Sequence, residues 1–234
     1  MAILEHLLDF FYPRFCIYCK KPVRLPTQGY LCEQCFNEFV FNSDLCCALC
    51  GRNMGTYRGA ICRNCTELNP CFHDGISLFA FNPMGRHFIH TLKYHNGVFL
   101  KHDLHKIFLH TKEKLSTLQQ SCFVPVPLHF TRKWKRGYNQ SFIIAQVLKQ
   151  VCGGEIISAL RRKINTPSQT SLTGLERKLN VKGAFVLNVK MLDLHKTYVL
   201  VDDVFTTGAT LNECASVLCR HGVKDIRVFT LAHG

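Results

Sequence analysis

Four Cys-x-x-Cys pairs constrain this chain more than anything else in it. Cys16 and Cys19 are followed after twelve residues by Cys32 and Cys35; Cys47 and Cys50 are followed after eleven by Cys62 and Cys65. The two units form a tandem repeat, offset by about thirty residues. Ten of the 14 cysteines fall within the first 71 residues. Without an export signal, thiols so clustered are expected to bind metal rather than to form disulfides. Each Cys-x-x-Cys can fold as a turn whose two sulfurs converge on one ion, and two turns complete a tetrahedral four-thiolate site. Thiolates select soft or borderline ions, so zinc comes first and an iron–sulfur centre second. The spacing leaves open which pairs share an ion, and Cys46 and Cys71 stand as substitutes. Zinc held by four thiolates has no open position and is structural.

The cysteines also divide the chain. Residues 1–71 are expected to form a zinc-binding module and residues 72–234 a second domain. In the latter, apolar and amphipathic segments alternate. Strands are expected at 75–81, 121–126, 155–160, 197–201 and 226–232, and helices at 86–94, 139–151 and 210–220. This alternation predicts an α/β fold: a Rossmann-like, mostly parallel sheet with helices on both faces and a ligand at the carboxyl ends of the strands. No apolar run approaches the ~20 residues of a membrane helix. The amino-terminal stripe of Ile3, Leu4, Leu7, Leu8 and Phe11 contains Glu5 and Asp9 and lacks the basic start of a signal peptide, so a cytoplasmic protein is expected.

One segment carries chemistry. The apolar run ending at Val201 leads into Asp202, Asp203, Val204, Phe205, Thr206, Thr207, Gly208, Ala209 and Thr210. Adjacent carboxylates at a strand end can accept hydrogen bonds from sugar hydroxyls or hold Mg2+ through water. The hydroxyl- and glycine-rich loop that follows opens a helix, whose backbone N–H groups and positive end suit a phosphate. Helix capping alone would explain the threonines but not two acids whose like charges oppose each other.

The segment closely resembles the 5-phosphoribosyl diphosphate (PRPP) motif of type I phosphoribosyltransferases. That resemblance implies that Asp202 and Asp203 bind ribose hydroxyls and that Thr206, Thr207, Gly208, Ala209 and Thr210 cradle the 5-phosphate. Val124-Pro125-Val126-Pro127-Leu128-His129, then Arg132, Lys135, Arg136, Gly137, Tyr138, Asn139 and Gln140, resemble the ComF family. So do Arg162, Thr166 to Thr170, Arg177 to Val181 and the Leu92-Lys93-Tyr94 turn. Members of that family join a cysteine-rich zinc module to a phosphoribosyltransferase-like domain. Membership implies a role in natural transformation, handling incoming single-stranded DNA on the cytoplasmic side of the membrane.

The residues support two functions side by side. As a phosphoribosyltransferase, the chain would place Arg132, in a loop after a strand, on the diphosphate of Mg-PRPP with Lys93 as a second cation, and Asp202 and Asp203 on the ribose. No nucleobase-recognition element follows the last expected strand, so binding is better supported than turnover, and the acceptor is open. As a single-stranded DNA-binding protein or scaffold, it would use its PRPP pocket for regulation. The 29 Lys+Arg against 16 Asp+Glu give a net charge of +13, which favours polyanions. Lys133, Lys135, Arg136, Arg161, Arg162, Lys163 and Arg177 would contact phosphates, and Trp134 and Tyr138 would stack on bases. Residues 161–182 fit the position of a basic hood over PRPP. The zinc module would add contacts or recruit a helicase or translocation partner.

Overall fold

A computed structural model describes residues 13–23, 29–55, 60–164 and 181–234. The amino-terminal stripe, Thr166 to Thr170 and Arg177 with its basic neighbours lie outside the described residues, and the Lys133 side chain is likewise undescribed. Among the described residues, two two-residue strands, β1 (Arg14–Phe15) and β2 (Pro22–Val23), pair antiparallel in the first cysteine unit. Helices α1 (Glu33–Asn37) and α2 (Arg63–Leu68) each start at the second Cys-x-x-Cys of a unit. Then follow β3 (Asp74–Ala80), α3 (Pro83–Tyr94), α4 (Lys101–His110), β4 (Cys122–Pro125), α5 (Phe130–Arg136), α6 (Gln140–Cys152) and β5 (Glu155–Ile156). The rest are β6 (Leu160–Arg162), β7 (Phe185–Leu187), β8 (Tyr198–Phe205), α7 (Ala209–Arg220) and β9 (Ile226–His233).

Five strands form one sheet in the order β3-β9-β8-β4-β5, every pairing parallel. Alternation along the strands feeds two cores. Val199, Val201, Phe229 and Leu231 pack with α3, α4 and α6 on one face. Tyr198, Leu200 and Val228 pack with Leu211, Cys214 and Leu218 of α7 on the other. The expected α/β architecture is thus what the chain adopts. Each cysteine unit joins a different core: Cys16, Leu31, Cys35 and Phe36 enter the first, and Cys47, Cys50, Cys62, Cys65 and Phe72 the second. The second unit is also hydrogen-bonded to the sheet's edge, the Gly75 N–H donating to Ala48 O at 3.0 Å and the Ser77 hydroxyl to Cys50 O at 2.8 Å.

The local signals are visible in the helix ends. Asn82 caps α3 by accepting from the Gly85 N–H at 2.8 Å, with Pro83 at the first helical position, so the helix starts three residues before the expected 86. Asn139 caps α6 through the Ser141 N–H and also donates to Val126 O at 3.0 Å, tying the helix to the end of β4.

Three expectations change. The expected strand 155–160 is only Glu155–Ile156 in the sheet, and Leu160–Arg162 pairs instead with β7 in a separate antiparallel ribbon. Arg132, expected in a loop after a strand, lies instead in helix α5 (Phe130–Arg136). The central strand does not stop at Val201 but continues through both acids to Phe205. It can do so because β9 follows it to His233, whereas β4 ends at Pro125 with the Val126 N–H as its last donor to β8 and Pro127 has none to offer. Among the described residues, β8 therefore has a neighbour on one edge only from Asp202 onward.

Candidate functional site

That one-sided stretch forms the floor of a cleft of about 320 Å3 at the carboxyl ends of β8 and β4. The helices after these strands, α6 and α7, lie on opposite faces, so the cleft sits where ligands of such sheets bind. Lys93, Arg132, Arg136 and Arg162 line it together with both acids and most of the 206–211 loop.

The acids are fixed differently. Asp203 is buried, and one carboxylate oxygen meets Lys93 Nζ at 2.9 Å. Its other oxygen, Oδ2, is buried and has no hydrogen-bond partner among the described residues. Asp202 Oδ1 accepts from the Ser141 hydroxyl at 3.0 Å and from the Asp203 N–H at 2.9 Å. Burial, then the Asp203 charge, push Asp202 up to about 7 against the opposing pull of Lys93. Burial acts to lower the Lys93 pKa, but Asp203 and Asp202 together outweigh it and raise it. A buried carboxylate oxygen with nothing to accept from is a costly feature unless a ligand hydroxyl or hydrated cation satisfies it.

The opposite wall is cationic. Burial and the neighbouring Arg136 lower the Arg132 pKa; burial and Arg132 lower that of Arg162. Arg136 lies over the Tyr94 ring at 5.1 Å and Arg162 over Phe185 at 5.2 Å, which holds both guanidinium planes in place. Guanidiniums crowded together in a half-buried cleft favour an anion between them. The third wall is the loop. Gly208, at φ 75°, begins α7, and a Cβ there would come within 2.5 Å of Phe205. Thr206 and Thr207 stand beside this turn, with Ala209 and Thr210 in the first turn of α7.

The structure thus gathers Lys93, Arg132, Asp202, Asp203, Thr206, Gly208, Ala209 and Thr210 around one cleft, with Thr207 in the same turn. It also brings in Arg136 and Arg162, which the sequence grouped with the basic face, while Lys135, Arg161 and Lys163 stay exposed outside it. Ser141, which orients Asp202, was not foreseen: nothing local marks a helix serine that meets an acid 61 residues away. Tyr138 is half-buried, and its hydroxyl donates to Leu92 O and accepts from the Gly97 N–H. Phe130 and Trp134, one turn apart on α5, are 74% and 82% exposed.

The open question of cysteine pairing resolves. Cys16, Cys19, Cys32 and Cys35 form one cluster and Cys47, Cys50, Cys62 and Cys65 the other, with the sulfurs in each within 4.8 Å of one another. Cys46 and Cys71 belong to neither. Cys19 and Cys32 sulfurs are 3.6 Å apart, and Cys50 and Cys62 sulfurs 3.8 Å. Four sulfurs at zinc's ~2.3 Å bond length stand about 3.8 Å apart, so the donor sets fit structural zinc.

Comparison with known proteins agrees. Residues 7–66 match the double zinc ribbon domain family. Competence protein F of Haemophilus influenzae is 30% identical over 232 residues, covering 97% of this chain and 99% of its own. The chain belongs to the ComF family. Other ComF relatives include DNA utilization protein YhgH of Escherichia coli, 30% identical over 94% of this chain and 96% of its own, and competence protein ComFC of Bacillus subtilis, 25% identical over 86% and 83%. A purine phosphoribosyltransferase from Pyrococcus horikoshii, 14% identical, overlaps 54% of this chain and 80% of its own at a TM-score of 0.31, too slight a likeness to transfer a substrate.

Proposed function

We propose that this ComF protein binds Mg-PRPP in the cleft and acts in the uptake or use of DNA that the names of its relatives describe. The observation that carries the pocket is the acid pair facing an arginine wall, with Asp203 Oδ2 buried and unsatisfied. Asp202 and Asp203 take the ribose hydroxyls, the turn at Thr206 to Thr210 takes the 5-phosphate, and Arg132, Arg136 and Arg162 take the diphosphate. Lys93 holds the Asp203 carboxylate in place through their ion pair. Asp202 and Asp203 would be the residues to hold a hydrated Mg2+, which when bound would screen the diphosphate charge.

Transfer would proceed by attack of an acceptor on the anomeric carbon as diphosphate leaves toward the arginines. The chain's own contribution is to fix the ribose and hold the leaving group. Calorimetric titration of PRPP with Mg2+ into the wild type and the Asp202→Asn/Asp203→Asn variant tests the pocket. Saturable binding lost in the variant is the expected result. No binding by folded, zinc-loaded wild type overturns it.

A second reading rests on α5. Phe130 and Trp134 project from a helix that also bears Lys135 and Arg136, a stacking face flanked by cations of the kind that holds single-stranded DNA. The two readings are compatible, with PRPP regulating DNA binding across the shared helix and the protein working in the cytoplasm beside a helicase or translocation partner. Among the described residues, no helix is long and apolar enough to cross a membrane.

A further inference from the structure

The second cysteine cluster and the phosphate loop are adjacent. Cys62 stands at the N-cap of helix α2 and Cys65 within it, so two of the four thiolates of that cluster fix its position. Its other side meets the loop. Asn64 Nδ2 donates to Thr207 O at 3.4 Å. The methyl group of Leu68 lies 2.7 Å from where a Cβ on Gly208 would stand, so that leucine and glycine are packed face to face. Contact continues past the helix: the Cys71 N–H donates to Asn212 Oδ1 in α7 at 2.8 Å, and Phe72 packs edge-on against Phe205 with centroids 6.3 Å apart.

We infer that Asn64 and Leu68 are positioning residues for the phosphate loop, and that the metal of the Cys47/Cys50/Cys62/Cys65 site acts on phosphate binding through them. This rests on the pocket assignment above. The argument is mechanical. A phosphate is held by N–H groups that must point at one place, and a loop of Thr-Thr-Gly has little side-chain mass with which to hold itself. Phe205 supports it from inside the sheet and α2 from outside. Helix α2 is only six residues long, too short to be stable alone. Its conformation depends on the metal that joins Cys62 and Cys65 to Cys47 and Cys50. Without that ion, Asn64 and Leu68 lose their place and the loop loses one wall. Among the described residues the first cluster has no such contact: it touches α3 and α4, through the His87 ring to Ile17 O at 2.9 Å and through Asp103 to the Tyr30 and Leu31 N–H groups.

The test uses the full-length, metal-loaded chain with Asn64→Ala, Leu68→Ala and the conservative Leu68→Met. Amide exchange at residues 205–210 is measured without ligand, and the Mg-PRPP Kd by titration. The thiolate absorption of cobalt-substituted protein reports whether the cluster is intact. Expected are faster exchange in the loop and a Kd weakened about tenfold in both alanine variants, with unchanged cobalt absorption and recovery in Leu68→Met. Loop exchange equal to wild type overturns the inference. So does faster exchange with an unaltered Kd, or an effect that appears only when the cobalt absorption is lost. Should the wild type take up no PRPP, the pocket assignment falls, and the exchange experiment still decides whether α2 holds the loop.

Discussion

Asp202 is where the site and the stability of the molecule oppose each other. Its carboxyl titrates near 7 in the folded chain, against an ordinary value of 3.8, because burial and Asp203 disfavour the charge. Between those values the folded protein holds a proton that the unfolded chain has released. Stability therefore falls as pH rises through this window, and the deficit is complete above about 7. Asp202→Asn keeps an oxygen for the Ser141 hydroxyl and the Asp203 N–H and removes the charge. It is expected to raise unfolding free energy by about 1–3 kcal/mol near pH 8 and to have little effect near pH 4, read from urea midpoints at both. The same variant should lose PRPP, as stabilised binding sites commonly lose function. These acids and their loop were legible in the sequence because the whole device is local: an apolar run, two acids, a turn and a helix start within a dozen residues. Arg136, Arg162 and Ser141 were not, because each reaches the cleft through the folding of a distant segment.

Among the elements, those with a buried stripe could be read in advance. Helices α3, α6 and α7 each present apolar residues to the core at helical spacing, and β3, β8 and β9 are nearly continuous buried runs. Helix α5 gave no such signal, since both of its large apolar residues face water. The β6–β7 ribbon was hidden because its strands are three residues each and pair across more than twenty intervening residues. That same lack of a buried face is why α5 matters. A helix that leaves Phe130 and Trp134 exposed gains no stability from them, so replacing both with alanine should leave the fold intact within about 0.5 kcal/mol. Trp134 is the sole tryptophan, so its fluorescence reports directly on this face. Quenching by single-stranded DNA is expected, falling steeply with salt, and Phe130→Ala should weaken affinity at constant fold. Equal affinity for duplex, or no dependence on salt, would remove α5 as a DNA surface.

For the whole molecule, the two metal sites are parts of the core rather than appendages. One cluster packs under α3 and α4 on one face of the sheet, the other against α7 and the β3 edge on the opposite face. Apparent zinc-binding free energies of small structural sites, about 10–16 kcal/mol, match or exceed the ~5–15 kcal/mol that stabilises a typical domain. Removing zinc with a strong chelator should therefore unfold sheet and ribbons in a single transition, with helical circular dichroism and PRPP binding lost together. The metal content before chelation should be two ions per chain, one for each cluster. Separate transitions for ribbons and sheet would show that the cores are less joined than their packing indicates.

The strand order has a consequence for how the chain is made. Strand β9 lies between β3 and β8, so β3 finds its partner only when residues some 150 positions later have been synthesised. Until then the ribosome has released two cysteine-rich units and a hydrophobic strand with no neighbour on the side that β9 will fill. The hydrogen bonds from Gly75 and Ser77 to the second cysteine unit give that strand an early local anchor, and the ion in that unit can hold it during the wait. A cell short of zinc would meet this protein first as a nascent chain that aggregates, before any mature copy lost its metal.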